Sequence, residues 1–433
     1  GSVTLFTLAI AVVAGLALLE IPLFTVIAGL TMVCLYAAGH NWMALQVVLI
    51  EMNRLASMPV LVALPLFTFT GVLLTETAAP RRIMNLLQAL VGWLPGGLAI
   101  AALCSCAFFT ALTGASGVTI VALGSVLYPV LRQEGYREPF TLGLLTTSGS
   151  LGLLFPPSLP VILYGVISQI DITGLFKAAL LPGILLVGVL SLYATASQWL
   201  RGRANGNSRV SAPVSWPRIK SAFTAAIWDW PIAVVLVVGV YGGFVTIAEV
   251  AAVILLYVVV VECFVLKEVD FRRQLPGILV ESVMLSGAIL VILGFALGFT
   301  GYLVDEQIPD RLLRYLTAMS DSRILFLAGL NIFLLAAGCI MDIFSATMII
   351  VPIIVPIALK YGVDPVHLGV VFLVNLEIGY STPPVGINLF IASLKFRKPV
   401  VQLYRASWPY LVLLLILLAV ITYVPQLSLF LVR

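Results

Sequence analysis

Apolar runs of membrane-spanning character recur from one end of the chain to the other, among them Ala233–Tyr241, Val250–Val261 and Tyr410–Val424 with their flanks. A transmembrane helix needs about 20 largely apolar residues, and the polar stretches between the runs are mostly short. The pattern predicts an all-α polytopic membrane protein. Residues 97–128 and 324–355 do not fit a simple span. Each is too long for one crossing and too short for two with a turn, since two need more than about 40 residues. Each fits a re-entrant helical hairpin, with two arms of about 15 residues rising roughly 20 Å. "TGASG" (113–117) and "GCIMD" (338–342) would form the tips.

The chain also repeats itself. "GSVLYPVLRQEGYREPFTLGLLTTSGSLGLLFPPSLPVILYG" (124–165) aligns with "VPIIVPIALKYGVDPVHLGVVFLVNLEIGYSTPPVGINLFIA" (351–392). Pro129 pairs with Pro356, Gly135 with Gly362, Gly152 with Gly379, and Pro156-Pro157 with Pro383-Pro384, all at one offset. "FTGVLLTETAAPRRIMNLL" (69–87) is echoed by "FTGYLVDEQIPDRLLRYL" (299–316). We therefore expect two repeats. The first, 3–200, holds hairpin 97–128 and broken helix 139–168. A polar cytoplasmic linker covers 201–225. The second repeat, 226–433, holds hairpin 324–355 and broken helix 365–394.

Composition sharpens this picture. The 433 residues are 61% hydrophobic and 10% charged, against roughly a quarter charged in soluble domains. The net charge of +4 does not suggest nucleic acid, because the cations sit in short loops. With both hairpins re-entrant and the termini outside, 16 Lys/Arg fall inside and 7 outside, the positive-inside bias. With both as single spans the best split is 13 to 10. The hairpin arrangement also inverts the second half relative to the first. "PRRIMNLLQALVGWL" (80–94) and "EVDFRRQLPGILVESV" (268–283) read as amphipathic interfacial stretches. Thr246 and Glu249 fit a capping box.

Several chemistries are excluded. No Gly-Lys dipeptide and no HExxH occur, which removes a Walker A site and a zincin. The five cysteines lie in apolar runs without CxxC, and His40 and His367 are far apart. Small apolar packing is the expectation for the cysteines. Gly1-Ser2 without a Met predicts a native start upstream.

What stands out is the pair of breaks, "TTSGSLGLLFPPS" (146–158) and "NLEIGYSTPPVG" (375–386). Unwound backbone at membrane depth is tolerated only against protein or a wet cavity. Its carbonyls, with Ser and Thr hydroxyls, suit a hard cation such as Na⁺, and half-helix N-termini suit a carboxylate. Ser148, Ser150 and Ser158 can be ligands or packing hydroxyls. Asp342, at the second hairpin's centre, is a functional candidate by its cost alone. Glu377 can ligate directly or satisfy freed amides; Asn375 can ligate or cap the broken helix. Neither break holds Arg or Lys.

The stretches "TALTGASGVTIVALGSVLYPVLRQEGY", "GSLGLLFPPSLPVILYG" and "MDIFSATMIIVPIIVPIALKYGVDPVHLGVVFLVNLEIGYSTPPVGINLFIAS", with "PLFTFTG" and "AALLPGIL", resemble the large membrane subunit of tripartite ATP-independent periplasmic (TRAP) transporters, a DctM-like protein of the ion transporter superfamily. The resemblance covers most of the chain. It implies inverted repeats in a scaffold and a moving domain, an elevator mechanism, and Na⁺-driven import of a carboxylate into bacteria across the inner membrane. It implies a small membrane subunit (Q) as a separate chain or outside these 433 residues, and a periplasmic substrate-binding protein (P). It implies no cofactor beyond Na⁺ as coupling ion. Cation ligands would come from Gly114 and Ser116 with Ser148 and Gly152, and from Gly338 and Asp342 with Glu377, Gly379 and Thr382. Substrate would lie between the tips, against Thr113, Ser150, Pro156, Pro157, Ser158, Asn375, Ser381, Pro383 and Pro384. The family more often reads Thr-Pro-Thr-Glu where this chain has Thr246-Ile247-Ala248-Glu249.

Three alternatives remain at the level of sequence. An exporter or antiporter of the same superfamily needs no binding protein. An intramembrane enzyme lacks a paired catalytic set near either break. A passive channel does not need inverted hairpins.

Overall fold

The computed structural model describes residues 28–29, 31–36, 46–204, 215–307, 311, 314, 322–383 and 385–432. Among them there is helix and no strand. Six helices are long and apolar enough to cross a membrane: Ile172–Leu200, Ile247–Val265, Leu275–Phe299, Arg323–Ile340, Ile343–Lys360 and Val400–Tyr423. Three bent helix pairs raise the number to nine if each pair is one span. The chain is a multi-pass membrane protein.

In chain order, α1 (Gln46–Ala56) bends by 73° into a 3₁₀ turn and α2 (Ala63–Thr75). The amphipathic α3 (Ala79–Val91) follows, its Pro80 in the first turn where no amide hydrogen bond is lost. Gly96, at φ 80°, opens α4 (Gly97–Thr113), and Gly114, at φ 66°, closes it. Such positive φ favours glycine. Then come α5 (Ser116–Gln133), α6 (Glu138–Ser148), a 3₁₀ turn at Leu151–Leu154, α7 (Leu159–Ser168) and α8 (Ile172–Ala204). The second half runs α9 (Trp216–Ala225), α10 (Trp230–Leu236), α11 (Ile247–Val260), α12 (Leu275–Asp305), α13 (Arg323–Ile340), α14 (Ile343–Lys360), α15 (Pro365–Gly379), α16 (Ile387–Phe396), α17 (Val400–Tyr423) and the short α18 (Gln426–Leu429).

The offset seen in the Gly/Pro positions reappears in the helices. Helix α14 starts and ends as far after α5 as Glu377 follows Ser150, 227 residues, and α15 starts at the same interval after α6. Helix α16 repeats α7 one residue later still. Packing crosses between the halves: α5 lies on α16, α14 on α7, and α6 on α17. Tyr410 donates to the Phe140 carbonyl at 2.9 Å, and Tyr164 to that of Pro365 at 3.0 Å.

Three expectations need adjusting. Helices α4, α5, α13 and α14 have 17 or 18 residues, about 26–27 Å at 1.5 Å per residue, not arms of about 15 residues. Caps at Gly96 and Ser322, whose hydroxyl accepts from Leu325 N at 3.4 Å, let the helices run the full length of their apolar runs. Nor is 268–283 one amphipathic helix. Asp270 Oδ1 accepts from Arg272 N and Arg273 N at 2.8 and 2.9 Å, which turns the chain, and Leu275 onward belongs to the 31-residue α12. The polar linker is helical at its described flanks, through Ala204 and again from Trp216.

Thr246 and Glu249 form the capping box, with Thr246 N donating to Glu249 Oε2 at 2.7 Å and Glu249 N to Thr246 Oγ1 at 3.3 Å. The two halves are also clasped by Arg82. It reaches Asp229 (2.6 and 2.9 Å), Glu262 (3.0 Å) and Glu268, and Glu268 also accepts from Ala78 N at 2.7 Å. A π-helical turn at Val261–Val265 carries Glu262.

Candidate functional site

Helices α6 and α7 meet at 43° around the first break. After Ser148 the backbone makes the Leu151–Leu154 turn, then a cis Pro156-Pro157 bond. The break is wedged against α4. A Cβ on Gly152 would lie 2.1 Å from the Ala107 carbonyl and 2.5 Å from Ala111 N, so only glycine fits there. Thr110 of α4 donates to the Gly149 carbonyl at 2.7 Å and lies 2.8 Å from Thr119 Oγ1 of α5. Ser158 donates to the Leu153 carbonyl. Thr113 sits at the tip, 3.4 Å from Ala115 N, and Ser116 begins α5.

The second break follows Gly379. Tyr380, Ser381 and Thr382 amides turn back to the Leu376, Ile378 and Gly379 carbonyls at 3.1, 3.0 and 3.0 Å. Thr382 Oγ1 donates to the Ile378 carbonyl at 2.9 Å. The hairpin tip presses onto this turn backbone to backbone. A Cβ on Gly379 would lie 2.7 Å from the Gly338 carbonyl carbon, and one on Gly338 2.9 Å from Leu376 Cα. Cys339 donates from Sγ to the Thr382 carbonyl (3.1 Å) and accepts from Gly386 N on its own carbonyl (3.0 Å). Pro383 lies at the turn. The expectation for Pro384 falls outside the described residues.

The breaks touch one another: Ser150 Oγ donates to the Glu377 carbonyl at 3.3 Å. Ser116 Oγ donates to Asn388 Oδ1 at 2.7 Å, tying the first hairpin tip to α16. The structure therefore brings Ser116, Ser150, Glu377 and the two glycine contacts into one buried region.

The acidic candidates separate sharply. Asp342 is the N-cap of α14, accepting from Ser345 N at 3.0 Å on Oδ1 and from Ser345 Oγ on Oδ2. Its charge has local partners at a helix N-terminus, where an anion is favoured. Glu377 does not satisfy freed amides. It is 2% exposed, and both its carboxylate oxygens are buried without a hydrogen-bond partner. A buried, unpartnered carboxylate is expensive, so these oxygens call for a partner that the described residues do not supply. Asn375 is not a cap. Its amide donates to Asn331 Oδ1 and the Val371 carbonyl, both at 2.8 Å, while its own Oδ1 is left without a partner. Ser381 Oγ is likewise buried and unpartnered. Ser148 back-bonds weakly, to the Leu145 carbonyl at 3.4 Å, and its side chain also meets the Cys106 thiol of α4.

Sequence reasoning missed Thr110, Cys339 and Asn388. Asn388 follows the second Pro pair by four residues, a polar side chain re-entering an apolar run, and that was its only signal.

Glycine-wedged broken helices meet between two helical hairpins inside a multi-pass bundle, an arrangement of discontinuous helices of the kind membrane transporters use to build binding sites. The family description "Tripartite ATP-independent periplasmic transporter, DctM component" matches residues 8–427, and the chain belongs to that family. It is 36% identical over 383 residues to the C4-dicarboxylate TRAP transporter large permease protein DctM of Rhodobacter capsulatus, covering 85% of this chain and 86% of that one. It is 34% identical over 385 residues to the isethionate TRAP transporter permease protein DctMQ of Oleidesulfovibrio alaskensis, covering 88% of this chain and 59% of that one. The fold is similar to that of the YdaH transporter of Alcanivorax borkumensis, with a TM-score of 0.63, 16% identity and 88% coverage of both chains. These relatives are permease components, not enzymes, and this chain is a transporter subunit.

Proposed function

We propose that this chain carries a small organic acid into the bacterial cell across the inner membrane, driven by Na⁺, with both termini periplasmic. The observation that carries this reading is the Ser150–Glu377 contact between the two breaks, next to an unpartnered carboxylate and without any Arg or Lys in either break. Acceptor-only oxygens suit a co-transported cation. Gly114, Ser116, Ser148 and Gly152 would serve one ion; Gly338, Asp342, Glu377, Gly379 and Thr382 would serve another. The acid would lie between the hairpin tips, against Thr113, Ser150, Ser158, Asn375, Ser381 and the two Pro pairs. The relatives named for a dicarboxylate and for isethionate support an organic anion as cargo.

The two halves act as inverted repeats, and the hairpins with the broken helices move as an elevator against the remaining helices. A periplasmic binding protein delivers the acid, and a small membrane subunit packs beside the chain; the DctMQ relative, longer than this chain's match to it, fits a linked pair of membrane subunits. The test is uptake of labelled organic acids into proteoliposomes, with and without a Na⁺ gradient, the small subunit and the cognate binding protein. Uptake that needs both the gradient and the binding protein is expected. Uptake indifferent to Na⁺, or driven outward without a binding protein, would overturn the reading.

A further inference from the structure

Asn388 lies at the start of α16, fully buried, with its backbone N donating to the Tyr380 carbonyl at 3.0 Å. Its side-chain amide is used on one branch only. Oδ1 receives the Ser116 hydroxyl at 2.7 Å, and Nδ2 is buried without a partner. A serine hydroxyl has one proton and two lone pairs. Because Asn388 takes the proton, Ser116 is left as an acceptor, which is what a hard cation needs from a hydroxyl. The same bond fixes the plane of the amide and so the direction of its N–H groups. A buried amide left unsatisfied is costly, and the partner it lacks is an acceptor. Ser381 Oγ, in the second break, is another buried polar atom without a partner.

We propose that Asn388 joins the two cargoes: its carbonyl branch orients Ser116 toward the coupling ion, and its N–H₂ branch donates to the anionic group of the substrate. The inference rests on the organic-acid reading above and adds to it a residue that binds the acid and positions an ion ligand. A carboxylate and a sulfonate both offer acceptor oxygens, so succinate and isethionate are the probes.

The full chain, purified in detergent, is followed by thermal unfolding in two titrations: Na⁺ alone, and each acid at saturating Na⁺. Asn388→Asp keeps an oxygen for the Ser116 proton and replaces the N–H₂ donor with an anion. Its Na⁺ midpoint should stay within about twofold of the original chain or fall, while the acid's apparent Kd should weaken by about tenfold or more, a loss of about 1.4 kcal/mol. Asn388→Ala removes both branches and should raise the Na⁺ midpoint as well. Ser116→Ala should raise the Na⁺ midpoint and, by freeing the amide plane while keeping the N–H₂ donor, weaken acid binding at saturating Na⁺ less than Asn388→Asp does. Acid binding undiminished in Asn388→Asp, or an unmoved Na⁺ midpoint in both Ala variants, overturns the proposal. A chain shifted by neither acid overturns the organic-acid reading instead, and the Na⁺ titrations still decide the Ser116 branch. If Asn388→Ala does not fold, Asn388→Asp and Ser116→Ala decide both branches.

Discussion

Ser150 donates its hydroxyl to the backbone carbonyl of Glu377, and these two residues are 227 positions apart, the offset at which the Gly and Pro positions of the two halves align. Each is the other's counterpart in the alignment. The contact joins the two breaks directly, through a hydroxyl of one and a backbone carbonyl of the other. It also explains why the hairpins press there with glycines: Gly152 against Ala107 and Gly379 against Gly338 leave no room for a side chain. Backbone carbonyls are thereby concentrated in a volume that apolar side chains would otherwise fill.

The N-cap role of Asp342 makes a divided prediction. Asn caps a helix about as well as Asp, whereas Ala costs about 1 kcal/mol. Asp342→Asn should therefore unfold within a degree or two of the original chain yet lose Na⁺-dependent uptake, because the charge is gone. Asp342→Ala should lose both. Thermal unfolding beside vesicle uptake separates the two effects; full uptake with normal Na⁺ dependence in Asp342→Asn would leave Asp342 a cap alone.

Arg82 faces three carboxylates, two of them almost fully buried. Arg82→Met removes the cation and strands the acids. Breaking such a buried cluster from one side costs about 3–5 kcal/mol, so a clear fall in unfolding temperature is expected. Adding Asp229→Asn and Glu262→Gln should recover much of it, since the stranded charge is then removed. No recovery in the triple variant would show that packing of the long side chain, and not charge, is what Arg82 contributes.

The helix breaks were readable because Gly and Pro disturb helices whatever surrounds them, and both breaks fall where those residues stand. Contacts across long separations were not readable in the same way. Arg82 meets Asp229, Glu262 and Glu268 from at least 147 residues away, and Ser116 meets Asn388 from 272; no local period marks either partner. The stretch 268–283 misled because its apolar spacing continues through Asp270, whose side chain turns the backbone.

Membrane placement of the first hairpin gives a third test. With α4 and α5 joined by the short turn at Gly114-Ala115, residues just before α4 and at the end of α5 should lie on one face. Single cysteines at Pro95 and Gln133, in a background without the five natural cysteines, should react with an impermeant thiol reagent from the cytoplasmic side only. Reaction from opposite faces would turn 97–128 into a single crossing and reverse the orientation of everything after it.

The Pro pairs carry the last prediction. Proline fixes φ and brings no amide, so helix α15 cannot run on through Pro383-Pro384, nor α6 into α7 through Pro156-Pro157. In their absence the chain could wind into one helix, which Pro opposes by about 3 kcal/mol per interior position. Winding would draw the Gly379–Thr382 carbonyls into regular helical bonds and pull Gly379 away from Gly338, against which it packs too closely for a Cβ. Pro383→Ala with Pro384→Ala should therefore still insert, with an unfolding temperature equal to or above the original, while the Na⁺ concentration for half-maximal uptake rises by about tenfold or more, equal to about 1.4 kcal/mol of lost binding. Pro156→Ala with Pro157→Ala should act alike at the other break, because Ser150 joins the two. Unchanged Na⁺ dependence in both double variants would make the breaks packing kinks, and the ion ligands would have to lie elsewhere.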